Sequence, residues 1–183
     1  AVSAALCSMQ GMSSDSPEVR SMLAALLISV ESCTQDFDAQ AVSMALYGMQ
    51  QMNDNNAEVR SLLSALLPKV QSCTEVLGSQ EVAMALYGIK EMSRDSDEAR
   101  AILSALLPKV ECCKEVFDAQ AVSMALHGMK QMSSDDAEVR SMLLVLLPKM
   151  ESCTEHFDTR RIAMALYGLK QMSSDSTEVR AVL

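Results

Sequence analysis

A twelve-residue motif returns every forty positions along this chain. AVSMALYGMQQM at 41–52 recurs as EVAMALYGIKEM at 81–92, AVSMALHGMKQM at 121–132 and RIAMALYGLKQM at 161–172, with a degenerate first copy, AVSAALCSMQGM, at 1–12. A second motif runs in the same frame: SPEVRSMLAALL, AEVRSLLSALLPKV, DEARAILSALLPKV, AEVRSMLLVLLPKM and finally TEVRAVL. No insertion or deletion disturbs it, so Arg20, Arg60, Arg100, Arg140 and Arg180 share one register position. A strict internal period of this size marks a repeat architecture, in which one small unit is copied and stacked.

The unit reads as two helices. Asp38 is an N-cap, with Phe37 before it and Val42 four residues into the helix, the layout of a hydrophobic staple. Val42, Ala45, Leu46, Met49 and Met52 then follow 3–4 spacing and make one apolar face. After a polar break, Ser16 and Pro17 supply cap and first turn of the second helix, and Glu18 sits favourably against the helix dipole. Val59, Leu62, Leu63, Leu66, Leu67 and Val70 form its stripe in the next copy, and no strand pattern is present. Pro68, Pro108 and Pro148 fall about three turns into this helix, on its polar side, where they imply an outer-face kink or a short separate turn. Ile28 stands there in the first copy, so the fold does not depend on the proline.

The expected fold is an all-α, right-handed α-solenoid of tandem 40-residue helix-turn-helix repeats. It has repeats at 1–40, 41–80, 81–120 and 121–160 and a partial one at 161–183. Each helix pair leaves apolar surface for a neighbour to cover, and neither end shows a polar cap, so the chain reads as one solenoid within a longer array. With no Trp, 3 Tyr, 3 Phe and 15 Met, the core must be built from Leu, Val, Ala and Met, which suits helix packing. The longest apolar run is about six residues, Met142 to Leu147, far short of the roughly 18 that span a bilayer, and no signal peptide is visible.

Charge narrows the partner. The net charge is −9, and each of the four complete repeats is negative. Nucleic-acid binders ordinarily carry a basic surface, because phosphate neutralisation supplies most non-specific affinity. DNA is therefore not expected as a partner.

One ladder has the chemistry for recognition. Ser43, Tyr47 and Gln50 lie on one stripe, opposite the apolar face. It continues as Ala83, Tyr87, Lys90, then Ser123, His127, Lys130, then Ala163, Tyr167, Lys170. An aromatic beside a lysine, once per repeat, can stack bases and hold phosphates. The opposing reading is that Tyr47, Tyr87, His127 and Tyr167 pack between adjacent first helices, which Gly48 lets approach closely, and this reading is favoured. The ladder from Arg20 to Arg180, with Glu18 to Glu178 two residues earlier, is taken as a structural ion-pair and hydrogen-bond ladder between repeats. Lys69, Lys109 and Lys149, beside the prolines, read as solvated.

Other chemistry finds little support. Cys33, Cys73, Cys113 and Cys153 recur at one position, with Cys7 and Cys112 extra. Equivalent positions in stacked repeats lie beyond the roughly 7 Å Cα limit for a disulfide, so they read as small free thiols of a reducing intracellular compartment. With only His127 and His156 and no Cys-x-x-Cys, no metal site is expected. No glycine-rich phosphate loop and no recurring Ser/His/Asp or Cys/His set is present, so neither catalysis nor a cofactor is expected. Most of the methionines sit at core spacing, although a Met-rich helix can also make an adaptable surface.

With these residues laid out, the chain resembles the octotricopeptide-repeat proteins and their heptatricopeptide and FAST-kinase relatives. The resemblance is carried by QAVSMALYGMQQM at 40–52, similar to that family's small-Leu-aromatic-small-Leu first helix, and by the Leu-rich second helix ending near a proline. It covers the whole chain, once per repeat. It implies either an RNA-binding factor or a structural component of a large assembly, in a chloroplast or mitochondrion. The acidic charge and the near-identity of the repeats at polar positions, where a base reader would vary, favour the second. The sequence thus points to a non-enzymatic scaffold for protein subunits of a larger assembly, with single-stranded RNA binding as the alternative.

Overall fold

The computed structural model describes residues 2–183; Ala1, where the first copy of the motif begins, lies outside the described residues. The described residues form helices joined by short turns, without a strand: α1 (Val2–Cys7), α2 (Pro17–Glu31), α3 (Ala39–Tyr47), α4 (Ala57–Ser72), α5 (Ser79–Gly88), α6 (Asp97–Cys112), α7 (Ala119–His127), α8 (Ala137–Glu151), α9 (Thr159–Gly168) and α10 (Thr177–Val182). The caps are those the sequence implies. The Asp38 carboxylate accepts from the Ala41 N–H at 2.6 Å, Asp118 does the same for Ala121, and Ser16 accepts from Val19 with Pro17 at the first helical position.

The helices form two rows. Odd-numbered helices pack on the next odd helix, even-numbered on the next even, and within a pair contact is slighter. A continuous core runs between the rows, from Val42, Leu46 and Met49 of one pair to Leu62, Leu63 and Leu66 across it, and so on through the chain. Burial of each such side chain contributes about 1.5–3 kcal/mol. The last pair shows what the neighbour supplies. Val42, Leu46, Val82 and Leu86 are completely buried, whereas Ile162 and Leu166, at the same positions of α9, are 46% and 53% exposed.

The odd row is the closer one, and glycine makes it so. A Cβ built on Gly48 would lie 2.0 Å from the Leu6 carbonyl oxygen. Gly88 stands the same way over Leu46 at 2.0 Å, and Gly128 over Leu86 and Gly168 over Leu126 both at 2.2 Å. No side chain fits there, so each odd helix rests on the backbone of the one before it. The odd row also lines the inside of a curve: Tyr47 of α3 and Arg160, Arg161 and Met164 of α9 border a single groove, although α5 and α7 lie between them.

The even row differs. α4, α6 and α8 continue through Pro68, Pro108 and Pro148, so the separate turn foreseen at these prolines is not formed. The prolines are exposed on the outer face, as are Ser64 and Ser104, whose carbonyls lose the missing N–H donor and meet water instead.

Ladders of hydrogen bonds cross from pair to pair, and the arginines are not the residues that make them. Lys69 donates to the Cys33 carbonyl in the loop after α2, Lys109 to Cys73 at 2.6 Å and Lys149 to Cys113 at 2.5 Å. Lys69 and Lys149 also lie over the rings of Phe37 and Phe117. These lysines, read from sequence as solvated, therefore tie each even helix back to the preceding loop. Glutamates do the same for the odd row: Glu75 accepts from the Ala39 N–H at 3.1 Å, and Glu115 from Ser79 at 2.7 Å. Glu115 thereby supplies the capping oxygen at α5, where Gly78 stands in place of aspartate.

The arginines work within their own pair, which corrects the expected inter-repeat role. Arg20 donates to the carbonyls of Ser14 and Asp15, both at 2.9 Å, Arg60 to Asp54, Arg140 to Ser134 and Asp135, and Arg180 to Asp175. Each locks the turn between its two helices. Arg100 also approaches the next pair, at 4.0 Å from Asp136.

Candidate functional site

The aromatic ladder forms one continuous column on the inner face. Ring centroids of Tyr47 and Tyr87 lie 6.0 Å apart, those of Tyr87 and His127 5.6 Å, and those of His127 and Tyr167 5.6 Å, with interplanar angles falling from 31° to 21°. The spacing follows from the fold. The aromatic precedes the glycine that seats each odd helix on its neighbour, so close approach of the backbones sets the ring separation. Such offset pairs contribute roughly 0.5–1.5 kcal/mol beyond their burial. Tyr47, Tyr87 and His127 are half-buried, Tyr47 and Tyr87 lining the inner groove, and Tyr167 is 48% exposed. Packing and presentation, opposed in the sequence reading, are thus combined in the same rings.

The rest of the stripe shifts by one position. Ser43 and Gln50, expected beside the tyrosine on the free side, are buried, as are Ala83, Ser123 and Lys90. Ser43 turns its hydroxyl back onto the Gln40 carbonyl, and Ser123 onto Ala119. The reason is the second neighbour, since an odd helix in the row is covered on both flanks and keeps only a narrow inner strip. That strip carries Gln40, Met44, Tyr47 and Gln51, repeated as Gln80, Met84, Tyr87, Glu91, then Gln120, Met124, His127, Gln131, then Arg160, Met164, Tyr167, Gln171. A groove of about 490 Å³ runs beside it, lined by Tyr47, Ala83, Met84, Gln120 and Met124. The four methionines of this strip, set at 40-residue intervals, were the signal that core-spacing arguments passed over.

The lysines of the ladder are mostly consumed. Lys90 is 5% exposed, with its ammonium 4.7 Å from the Tyr87 ring centroid and 3.8 Å from the Glu91 carboxylate. Burial pushes its pKa down. Lys130 binds the same Glu91 at 2.5 Å. Lys170 alone is exposed; it donates to the Tyr167 hydroxyl at 2.9 Å, and that hydrogen bond holds the phenol below its ordinary pKa. Burial raises the pKa of Tyr87 and lowers that of His127, whose Nδ1–H donates to the Met164 carbonyl at 3.1 Å. Two lysines thus share one carboxylate inside the column, both largely covered, and the exposed positive charge gathers around α9, at Arg160, Arg161 and Lys170.

All six cysteines are free, with Cys73 and Cys113 buried and Cys112 exposed. Among the described residues no group of three or more His, Cys, Asp or Glu side chains could hold a metal, and no helix is long and apolar enough to cross a membrane. No protein-family model matches this chain, and no curated protein or solved structure shows significant similarity to it.

Proposed function

We propose that the chain is an α-solenoid of 40-residue helical hairpins, four complete and one partial, that acts as a non-enzymatic scaffold, docking a polypeptide of a larger assembly along its inner face. The observation that carries this is the state of the ladder lysines: Lys90 and Lys130 are both covered and turned onto Glu91, so neither ammonium is presented along the column to a phosphate backbone. Apart from Glu91 and Arg160, the strip is glutamine, methionine and aromatic rings. Amides can bond an extended backbone, and methionine adapts to apolar side chains of varied shape. The family resemblance agrees with an organellar assembly, and the free thiols with a reducing compartment.

Single-stranded RNA is the second reading, and one feature favours it: the exposed Tyr167 beside Arg160, Arg161 and Lys170. A titration of the purified chain with pooled single-stranded RNA at about 0.15 M salt, repeated across a salt series, separates the two. The scaffold reading expects no tight, salt-sensitive binding. Binding that weakens steeply with salt and disappears on replacing Tyr47, Tyr87 and Tyr167 with Ala would replace it with the RNA reading.

A further inference from the structure

The inner groove carries charge of one sign along most of its length. Between α5 and α7, where it encloses about 490 Å³, its walls include Ala83, Met84 and Met124, and the charged residue among them is Asp118. Between α1 and α3 a section of about 280 Å³ repeats the arrangement with Ala4, Met44, Asp36 and Asp38. At α5 glycine replaces the aspartate, yet carboxylates converge there too: a Cβ built on Gly78 would lie 2.6 Å from an oxygen of Glu81 and 2.8 Å from one of Glu115. The chain's own cations leave this rim uncompensated. Asp38 and Asp118 are exposed, and each uses Oδ1 for its capping bond to Ala41 or Ala121. Among the described residues, none of Asp36, Asp38, Glu81, Glu115 and Asp118 is in an ion pair. Lys69 and Lys109 are turned onto the Cys33 and Cys73 carbonyls, and Lys114, in the loop before α7, borders neither section of the groove.

A methionine floor beside a carboxylate rim complements side chains that are apolar along the stem and positive at the tip, as lysine and arginine are. We infer that the groove from α3 to α7 receives a basic, extended segment of the partner polypeptide. Its Lys or Arg stems lie on Met44, Met84 and Met124, and their charged ends meet Asp38, the Glu81 and Glu115 pair, and Asp118. The inference rests on the scaffold reading above and adds the chemistry of the partner. The repeat spacing suits it. Column rings stand 6.0 and 5.6 Å apart over these helices, close to the roughly 6.6 Å between alternate residues of an extended chain, so one basic side chain falls on each repeat. At α9 the rim changes sign, because Arg160 and Arg161 border the groove there, and the basic stretch ends before it.

The test uses the full chain and three fluorescein-labelled peptides read by anisotropy at about 0.15 M salt. One alternates Lys and Thr over about ten residues, and its counterparts carry Gln or Glu in place of Lys. The lysine peptide is expected to bind at least about tenfold more tightly than either counterpart. D38N/D118N, which keeps both caps because asparagine caps as well as aspartate, should weaken it about tenfold. D15N/D175N, which removes the same charge from turns at the other end of the helices, should change it by less than about twofold. M84K/M124K, which places cations on the floor itself, should abolish it, and circular dichroism checks that each variant is folded. A glutamine or glutamate peptide that binds as tightly as the lysine peptide overturns the basic occupant and leaves the scaffold reading intact, and so does a failure of all three to bind. Equal affinities in D38N/D118N and wild type, or an equal loss in D15N/D175N, overturn the groove as the site. The RNA titration tests the scaffold reading separately: salt-sensitive RNA binding that needs the tyrosines removes both.

Discussion

Along the odd row, neighbouring helices approach until Gly88 has no room for a methyl group above the Leu46 carbonyl. Along the even row, contact is made by leucines such as Leu63 and Leu103, and the helices are tied by a lysine reaching 36 residues back to a loop carbonyl. Both rows are copies of one sequence frame, yet the odd row is damaged by adding atoms and the even row by removing them. The closer row lies on the inside of the curve, so it carries the ordered aromatic column, while the looser outer row tolerates a proline in each helix. The proposed recognition surface thus lies on the row whose geometry is set by backbone contact.

The largest effect that would sharpen this contrast is in the even row. Leu103→Ala, at a fully buried site, should cost about 3–4 kcal/mol in urea unfolding. A cost below 1 kcal/mol would mean that the even row does not depend on its side chains. Lys109→Met keeps the apolar stem but removes the bond to Cys73, and should cost about 1 kcal/mol. If the variant is as stable as wild type, the lysine ladder contributes nothing. Pro108→Ala restores a helical N–H opposite exposed Ser104 and should raise stability by a few tenths to about 1 kcal/mol. A loss there would show that the outer face needs the proline.

The smallest effect concerns the column. His127 is held below its ordinary pKa of 6.5, first by burial and then by Lys130 and Lys90, against which the Met164 carbonyl and Glu91 favour the proton. The unfolded chain therefore takes up a proton before the folded one does. Stability should fall as pH drops below about 6.5 and level off once the folded imidazole is also protonated. His127→Tyr, which makes the column uniform, should change neutral-pH stability by only tenths of a kcal/mol and remove this group's contribution to the slope. An unchanged slope between pH 7 and 5 would show that another group is responsible.

What the sequence made legible is local or strictly repeated. Asp38 and Ser16 cap where expected because capping involves residues three apart, and the glycine following the aromatic signalled close approach because it recurs at 40-residue intervals. Longer-range partners were hidden. Nothing in the Pro-Lys pair names a carbonyl 36 residues earlier as the partner of Lys69. The arginines looked like a ladder between copies because they are regular, but their reach to carbonyls five and six residues upstream serves one turn. The candidate strip was misplaced by one position for the same reason. Helical spacing groups Ser43 and Gln50 with Tyr47, and only the second flanking helix decides that they are covered while Gln40, Met44 and Gln51 are not.

The most direct test of the account is Gly88→Ala. Helix propensity alone predicts a gain, since alanine is favoured over glycine by about 1 kcal/mol in a helix interior. A Cβ 2.0 Å from the Leu46 carbonyl predicts the opposite sign, a loss of about 2 kcal/mol or more in urea unfolding as α3 and α5 are forced apart. A destabilised Gly88→Ala confirms that backbone contact sets the odd row and its aromatic column. A variant as stable as wild type, or more so, would contradict it.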